Sequence, residues 1–296
     1  MLPFVHLHAH SEYSLLDGAS RIPEMVRWAK EKGMPALALT DHGVLYGAIE
    51  FYKEAKKAGI KPILGCEVYV APGNRTDKTP ADRDKENAYH LVLLAETQEG
   101  WNNLIRLVSM GHLEGFYYKP RVDKELLKKY HKGIIALSAC LAGEIPALFM
   151  RGDEDAARKA AEEYREIFGP DHFFLEVQDQ GIEIEKSVNQ FVFKLADELS
   201  IPVVATNDSH YVSQDHAERQ DVLMCIKIQK NVDDPGRLKF PTSEFYLKDG
   251  QEMSALFPGR MDIIENTVKI AERCNVELKF GEYLLPDFEV PLGETS

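Results

Sequence analysis

The stretch FVHLHAHSEYSLLDG, residues 4–18, places His6, His8 and His10 on alternate positions near the start of the chain and follows them with Asp17. If that run is extended, successive side chains alternate between two faces, and the three imidazoles share one of them. A lone histidine in such a place reads as a core residue satisfied by hydrogen bonds, but three on one face each need a partner. Comparable residues recur in or after later apolar runs: Asp41 and His42 close ALTDHG, Glu67 lies in GCEVYV, Cys140 follows GIIALSA, and Asp208 and His210 sit in ATNDSHY. His90 instead precedes its run, LVLLA. Imidazole, carboxylate and a single thiolate make a donor set that suits zinc, with manganese or iron as alternatives. The nine candidates, His8, His10, Asp17, His42, Glu67, His90, Cys140, Asp208 and His210, exceed the roughly four ligands that one zinc ion takes. Two or three ions are the simplest use for them. Ions about 3.5–4 Å apart clamp phosphoryl oxygens and activate water, which is phosphoester-hydrolysis chemistry.

Such a site needs elements whose ends meet. FVHLH, PALALT, KPILGCEVYV, HLVLLA, GIIALSA, FFLEVQ and IPVVAT are short apolar runs of the kind that form buried parallel strands. Amphipathic stretches lie between them, including IPEMVRWAKEKG, YGAIEFYKEAKKAG, GDEDAARKAAEEYREIFG and EIEKSVNQFVFKLADELS. Acids open the third, and glycines close the first two as helix ends require. Seven strand–helix alternations predict an α/β parallel barrel, whose C-terminal strand ends share one face and build the site. Residues 71–88 read as a loop over the top of the domain. After His216 two helices are expected to flank a short strand, EFYLKD, and the tail LLPDFEVPLGETS reads as a linker.

The 296 residues carry a formal net charge of −13, which argues against a domain that grips nucleic acid by electrostatics alone. No apolar run reaches the roughly 18 residues of a membrane span. The first residues, MLPFVHLHAH, lack the basic and apolar regions of a secretory signal. Cys66, Cys140, Cys225 and Cys274 are widely spaced and read as thiols of a cytoplasmic protein.

HLHAHSEYSLLDG, ALTDHG, GCEVYV, YHLVLLA, GFYYKPRVD, LSACLAGEIP and ATNDSHY together resemble the polymerase-and-histidinol-phosphatase (PHP) domain at the N-terminus of bacterial replicative DNA polymerase III alpha subunits. SEYSLLDG and GFYYKPRVD point to the polymerase branch. The resemblance implies one PHP domain over residues 1–285, a distorted seven-stranded (β/α) barrel, and a linker over 286–296 toward the polymerase palm. It implies up to three divalent ions, zinc foremost. His8, His10, Glu67 and Asp208 would hold one, Glu67 would bridge to a second held by His90 and Cys140, and Asp17, His42 and His210 would hold the third. Glu67, Asp208 and His210 are read as the catalytic set.

His6 has no ligand counterpart in that pattern and is read as an inward-facing strand residue below the site, while Asp41 orients a ligand. Lys119 and Arg121, with Tyr117 and Tyr118, are expected at substrate phosphates or against a neighbouring polymerase domain. Arg75, Lys78, Arg83 and Lys85 read as soluble surface, Cys66 as a buried thiol, and Cys225 and Cys274 as core. The implied activity is a 3′–5′ proofreading exonuclease acting on a DNA 3′ end. The alternative is a non-catalytic module that stabilises the polymerase and docks a separate exonuclease subunit among other replisome proteins.

Overall fold

A computed structural model of the chain describes residues 2–79 and 88–282; Arg83, Lys85 and the expected linker over 286–296 lie outside the described residues. In chain order the elements are α1 (Ile22–Glu31), β1 (Ala36–Leu39), α2 (Ala48–Ala58), β2 (Lys61–Val70), β3 (Tyr89–Ala95), α3 (Gln98–Leu113), β4 (Arg121–Val122), α4 (Lys124–Tyr130), β5 (Ile134–Leu137), α5 (Glu144–Met150), α6 (Glu154–Phe168), β6 (Phe173–Val177), α7 (Glu183–Leu199), β7 (Val203–Ala205), α8 (Ala217–Ile228), α9 (Gly250–Leu256) and α10 (Met261–Arg273). Local chemistry sets several ends. Asp153 accepts the Ala156 N–H at 2.9 Å to open α6, and Gly59 turns left-handed at φ 78° to close α2. Among the described residues no helix is long and apolar enough to cross a membrane.

The strands form one curled sheet in the order β1-β2-β3-β5-β6-β7, with β4 also paired to β2. Every pairing is parallel except those of β3, which runs antiparallel to both β2 and β5. Residues 6–10 close the curl. The Ala38 and Thr40 N–H groups donate to the carbonyls of His6 and Ala9, both at 2.9 Å, while on the other side His10 N–H reaches the Ser209 carbonyl at 2.8 Å. The expected first strand is thus a connector shared by both sheet edges rather than a laddered strand. The expected strand EFYLKD is likewise reduced to single contacts, such as the bridge between Tyr211 and Tyr246.

Two apolar layers hold the sheet. The larger lies between strands and helices and includes Phe51 of α2, Leu104 of α3, Tyr164 of α6 and Val192 of α7. The smaller fills the concave side with Val5, Leu7, Ala36, Ala38, Ile63, Val92, Leu94, Ile135, Leu137, Phe174 and Val204. Every second strand residue belongs to that inner layer, as the pleat requires.

The alternation fails at one place. The chain bends at Leu7–His8, and His6 leaves the side of His8 and His10. His6 packs edge-on to Phe4, with ring centroids 4.9 Å apart, near Trp28 of α1, and its Nε2 meets the Lys248 carbonyl at 2.8 Å. The three imidazoles therefore do not share a face, because Val5 and Leu7 take the inner positions. Burial pushes the His6 pKa down to about 4, so it is a neutral core residue near pH 7.

A close approach of backbones sets the seat of α3. A Cβ on Gly100 would stand 1.6 Å from the Gly133 carbonyl oxygen, a fixed backbone atom. Gly100→Ala is expected to cost about 1–3 kcal/mol in urea unfolding, as overpacking does, without changing metal content.

Candidate metal centre

The alternation that lines the inner core with apolar side chains at one end of the sheet lines it with polar, potentially metal-ligating side chains at the other. Ile63 and Gly65 lead to Glu67 and Tyr69 along β2, Phe174 to Glu176 along β6, and Val204 to Thr206 and Asp208 beyond β7. His90 joins this end because β3 is reversed: its first residues, paired with the last of β2, lie where the parallel strands finish. The position that looks anomalous in the sequence is a direct consequence of antiparallel pairing.

Glu67 has no exposed surface and sits between four imidazoles. Its Oε1 is 3.3 Å from His8 Nε2 and 2.7 Å from His90 Nδ1, and its Oε2 is 3.5 Å from His10 Nε2 and 2.5 Å from His42 Nδ1. Asp208 Oδ1 lies 3.2 Å from His8 Nε2, 3.1 Å from His10 Nε2 and 3.6 Å from His210 Nδ1. Two donors each about 2.1 Å from one tetrahedral ion stand about 3.4 Å apart, the spacing found among His8, His10, Glu67 and Asp208. Seven buried atoms here have no hydrogen-bond partner: His8 Nε2, His10 Nε2, Asp17 Oδ1, His42 Nδ1, both Glu67 oxygens and Asp208 Oδ1. Buried polar groups are rarely left so. A cluster of divalent cations among them would satisfy them, and the residues fit that group.

Hydrogen bonds behind the ligands fix which ring nitrogen faces the site. His8 Nδ1 meets Glu176 Oε1 at 2.7 Å, and His210 Nδ1 donates to the Asp208 carbonyl at 2.8 Å. His10 Nδ1 donates to Ser14 Oγ at 3.0 Å, and that hydroxyl donates to Asp41 Oδ1 at 2.7 Å. Nε2 of all three rings is thereby turned inward. Asp41 takes the orienting role expected of it. Sequence reasoning missed Glu176, Ser14 and the Tyr69 ring, which lies 5.1 Å from His90. Glu176 had a signal, since it is the one acid in the apolar run FFLEVQ.

Electrostatics follow from burial and crowding. Burial opposes charge on Glu67, yet His90, His42 and His8 hold its carboxyl well below the usual carboxylate range. Burial likewise opposes charge on His8, but Asp208, Glu176 and Glu67 outweigh it and raise its pKa well above the ordinary value. His10 goes the other way: burial, then His42 and His210, push it down to about 3. Burial, with Asp208 and Glu67, raises the Cys140 thiol well above its usual pKa.

The remaining candidates are less tightly gathered. Cys140 Sγ is 3.7 Å from His90 Nδ1, placed there after Ala139 adopts a left-handed φ of 64°. Asp17 stands 3.8 Å from both His42 and His210, and His42 faces Glu67 as well as Asp17. Lys119 reaches the mouth, its Nζ 5.0 Å from the Tyr69 ring centroid. Arg121, expected beside it, is only 4 % exposed and donates to the carbonyls of Gly115, Arg75 and Asp77 at 3.2, 3.1 and 2.6 Å. Its guanidinium ties the 115–121 turn to the 71–79 loop instead of facing the site. In that loop Arg75 is no bare surface residue, being paired with Asp123 at 2.9 Å. Cys66, Cys225 and Cys274 are buried, and Cys66 Sγ donates to the Asp41 carbonyl at 3.3 Å.

Cation binding at Cys140 needs the thiolate, so zinc uptake is expected to release protons and to shield this thiol from alkylation. Cys140 should label in chelator-treated protein and resist labelling when loaded, while the other three stay slow in both states. Equal labelling of Cys140 in both would remove it from the site.

Residues 6–180 match the model of the PHP domain family. The chain is 49 % identical over 290 residues to the DNA polymerase III subunit alpha of Treponema pallidum, covering 98 % of this chain and 25 % of that protein. It is 46 % identical to the subunit of Borreliella burgdorferi over 98 % of this chain and 25 % of that protein, and 44 % identical to that of Thermus aquaticus over 100 % and 25 %. The chain thus spans about a quarter of the length of the relatives it matches. With the family model covering more than half of its residues, over a curled α/β sheet whose strand ends gather histidines and carboxylates, the chain belongs to the PHP domain family.

Proposed function

We propose that this chain is the N-terminal PHP domain of a replicative DNA polymerase III alpha subunit and carries a metal-dependent phosphoesterase site that removes nucleotides from a DNA 3′ end. The observation that carries the reading is Glu67, fully buried between His8, His10, His42 and His90 with both oxygens lacking a hydrogen-bond donor. His8, His10, Glu67 and Asp208 would hold one divalent ion, Glu67, His90 and Cys140 a second, and Asp17, His42 and His210 a third. Zinc suits this mixed donor set best. Bound ions would supply Lewis-acid activation of water and of the phosphoryl group.

The chain's own residues do the positioning. Glu67 and Asp208 place negative charge at the centre, Glu176 and the Ser14–Asp41 pair lock His8 and His10, and His210 stands beside Asp208 at the outer edge. Lys119 at the mouth is the contact for a substrate phosphate. Arg121 is not, its guanidinium being engaged by backbone carbonyls. DNA affinity would come mainly from the polymerase domains that continue the chain, in the cytoplasm with the rest of the replication apparatus. The second reading, a scaffold that docks a separate exonuclease subunit, is favoured by the net charge of −13.

Asp208→Asn separates the two. Asparagine keeps the size of the side chain and tolerates the left-handed φ of 44° found at this residue, but its carboxamide is a poor ligand. For a phosphoesterase, hydrolysis of a labelled primer by the full-length polymerase is expected to fall by at least about a hundredfold. Lys119→Ala should weaken substrate binding with metal content intact. A wild-type, metal-loaded polymerase without any hydrolysis that Asp208→Asn abolishes would leave the scaffold reading.

A further inference from the structure

Asp17 differs from the other carboxylates of the centre in already having a cationic partner. Lys227 of α8 places its Nζ 2.6 Å from Asp17 Oδ2. Among the described residues neither Glu67 nor Asp208 pairs with a lysine or arginine. The contact is held from two sides. Gln220, about two turns earlier on the same helix, donates to the Asp17 carbonyl at 3.2 Å, and Asp17 N–H closes a turn onto the Ser14 carbonyl at 3.0 Å. Leu16, just before it, takes a left-handed φ of 58°. The carboxylate is therefore fixed facing both α8 and the histidines.

The geometry around it is that of a site filled by the wrong cation. Asp17 Oδ1 is buried without a hydrogen-bond partner, 3.8 Å from His210 Nε2, and Oδ2 is 3.8 Å from His42 Nε2 while bonded to the ammonium. These spacings exceed the 3.1–3.5 Å that separate His8 and His10 from Glu67 and Asp208. A divalent ion drawn to Asp17 meets a positive charge already engaging that carboxylate, and like charges a few ångströms apart repel.

We infer that Lys227 is a resident counter-ion of Asp17, which a third divalent cation must displace. The Asp17–His42–His210 site is then the weaker cation site, tuned by one lysine, beside the two sites that share Glu67. The inference rests on the metal-centre reading and adds to it a residue that sets how many ions the protein holds at a given metal concentration.

The test is zinc binding by the full 296-residue chain, followed by competition with a chromophoric chelator and by elemental analysis after gel filtration. Wild-type protein should show a third zinc at least about tenfold weaker than the inner ions. Lys227→Met, which keeps an unbranched stem suited to a helix, should tighten that third site at least tenfold and leave the inner affinities alone. Lys227→Arg, which keeps the charge, should resemble wild type. A third-site affinity that changes less than twofold in Lys227→Met, or one that tightens as much in Lys227→Arg, overturns the role of the charge. Binding of one zinc or none by wild type and variants alike would bring down the metal-centre reading itself, and with it this one. Circular dichroism of each variant verifies that the overall helix content is kept.

Discussion

Glu67 is a carboxylate without any contact with water, on a strand whose inward face begins in the apolar layer at Ile63. Removing an ion from water costs several kcal/mol even after relaxation, so its surroundings must return that energy or the side chain must be neutral. Four imidazoles provide the close polar company, and none completes a hydrogen bond to it. A carboxylate so enclosed is stable only with positive charge beside it, as protons on the rings or as metal ions. The curled sheet, the bend at Leu7–His8 and the reversal of β3 are all ways of bringing those four rings to one carboxylate.

A single two-residue repeat runs through Ile63, Gly65, Glu67 and Tyr69, so the residues that exclude water from the inner layer are continuous with those that carry the ligands. The apolar layer below keeps the dielectric low and makes each charge interaction stronger. The outer helices contribute in another way, and α8 in particular delivers Gln220 and Lys227 to the loop around Asp17. Glu67 and His90 are thus held on strands, whereas Asp17 sits in a loop braced by α8.

Most of this was legible in the sequence where one residue type decided the matter. The gathering of imidazoles and carboxylates at strand ends could be read because a polar group after an apolar run has few other uses, and GCEVYV and ATNDSHY are short enough to leave little choice of face. What was not legible depended on direction and on distance. His6 looks like its neighbours His8 and His10 in any alternating reading; only the bend that turns Val5 and Leu7 inward sends it to Trp28 instead. His90 looked out of place because nothing in LVLLA signals that its strand is reversed. Arg121 could be read from the sequence either as a phosphate contact or as a contact to a neighbouring domain, whereas its guanidinium donates to carbonyls up to 46 positions away in the chain. Glu176 was visible as an acid in a strand, but its pairing with His8 spans 168 residues, which no local pattern encodes.

A chain with a net charge of −13 is an awkward partner for a polyanion, and the proposed reading has to meet that difficulty. Charges farther apart than about 8–10 Å are largely screened at physiological salt, so the overall balance matters less than the few side chains at the mouth. There Lys119 lies over the Tyr69 ring and Lys227 beside Asp17, and the acids are engaged by histidines, serines or lysine. Weak capture is then sufficient if the substrate is delivered by the longer chain of which this domain is a quarter in its relatives. Tethering raises the effective concentration of a strand end to the millimolar range without any new contact. On the proposed reading a net negative charge would keep duplex DNA from lingering on the domain. A strand end that reaches the mouth meets Lys119 and Lys227 there.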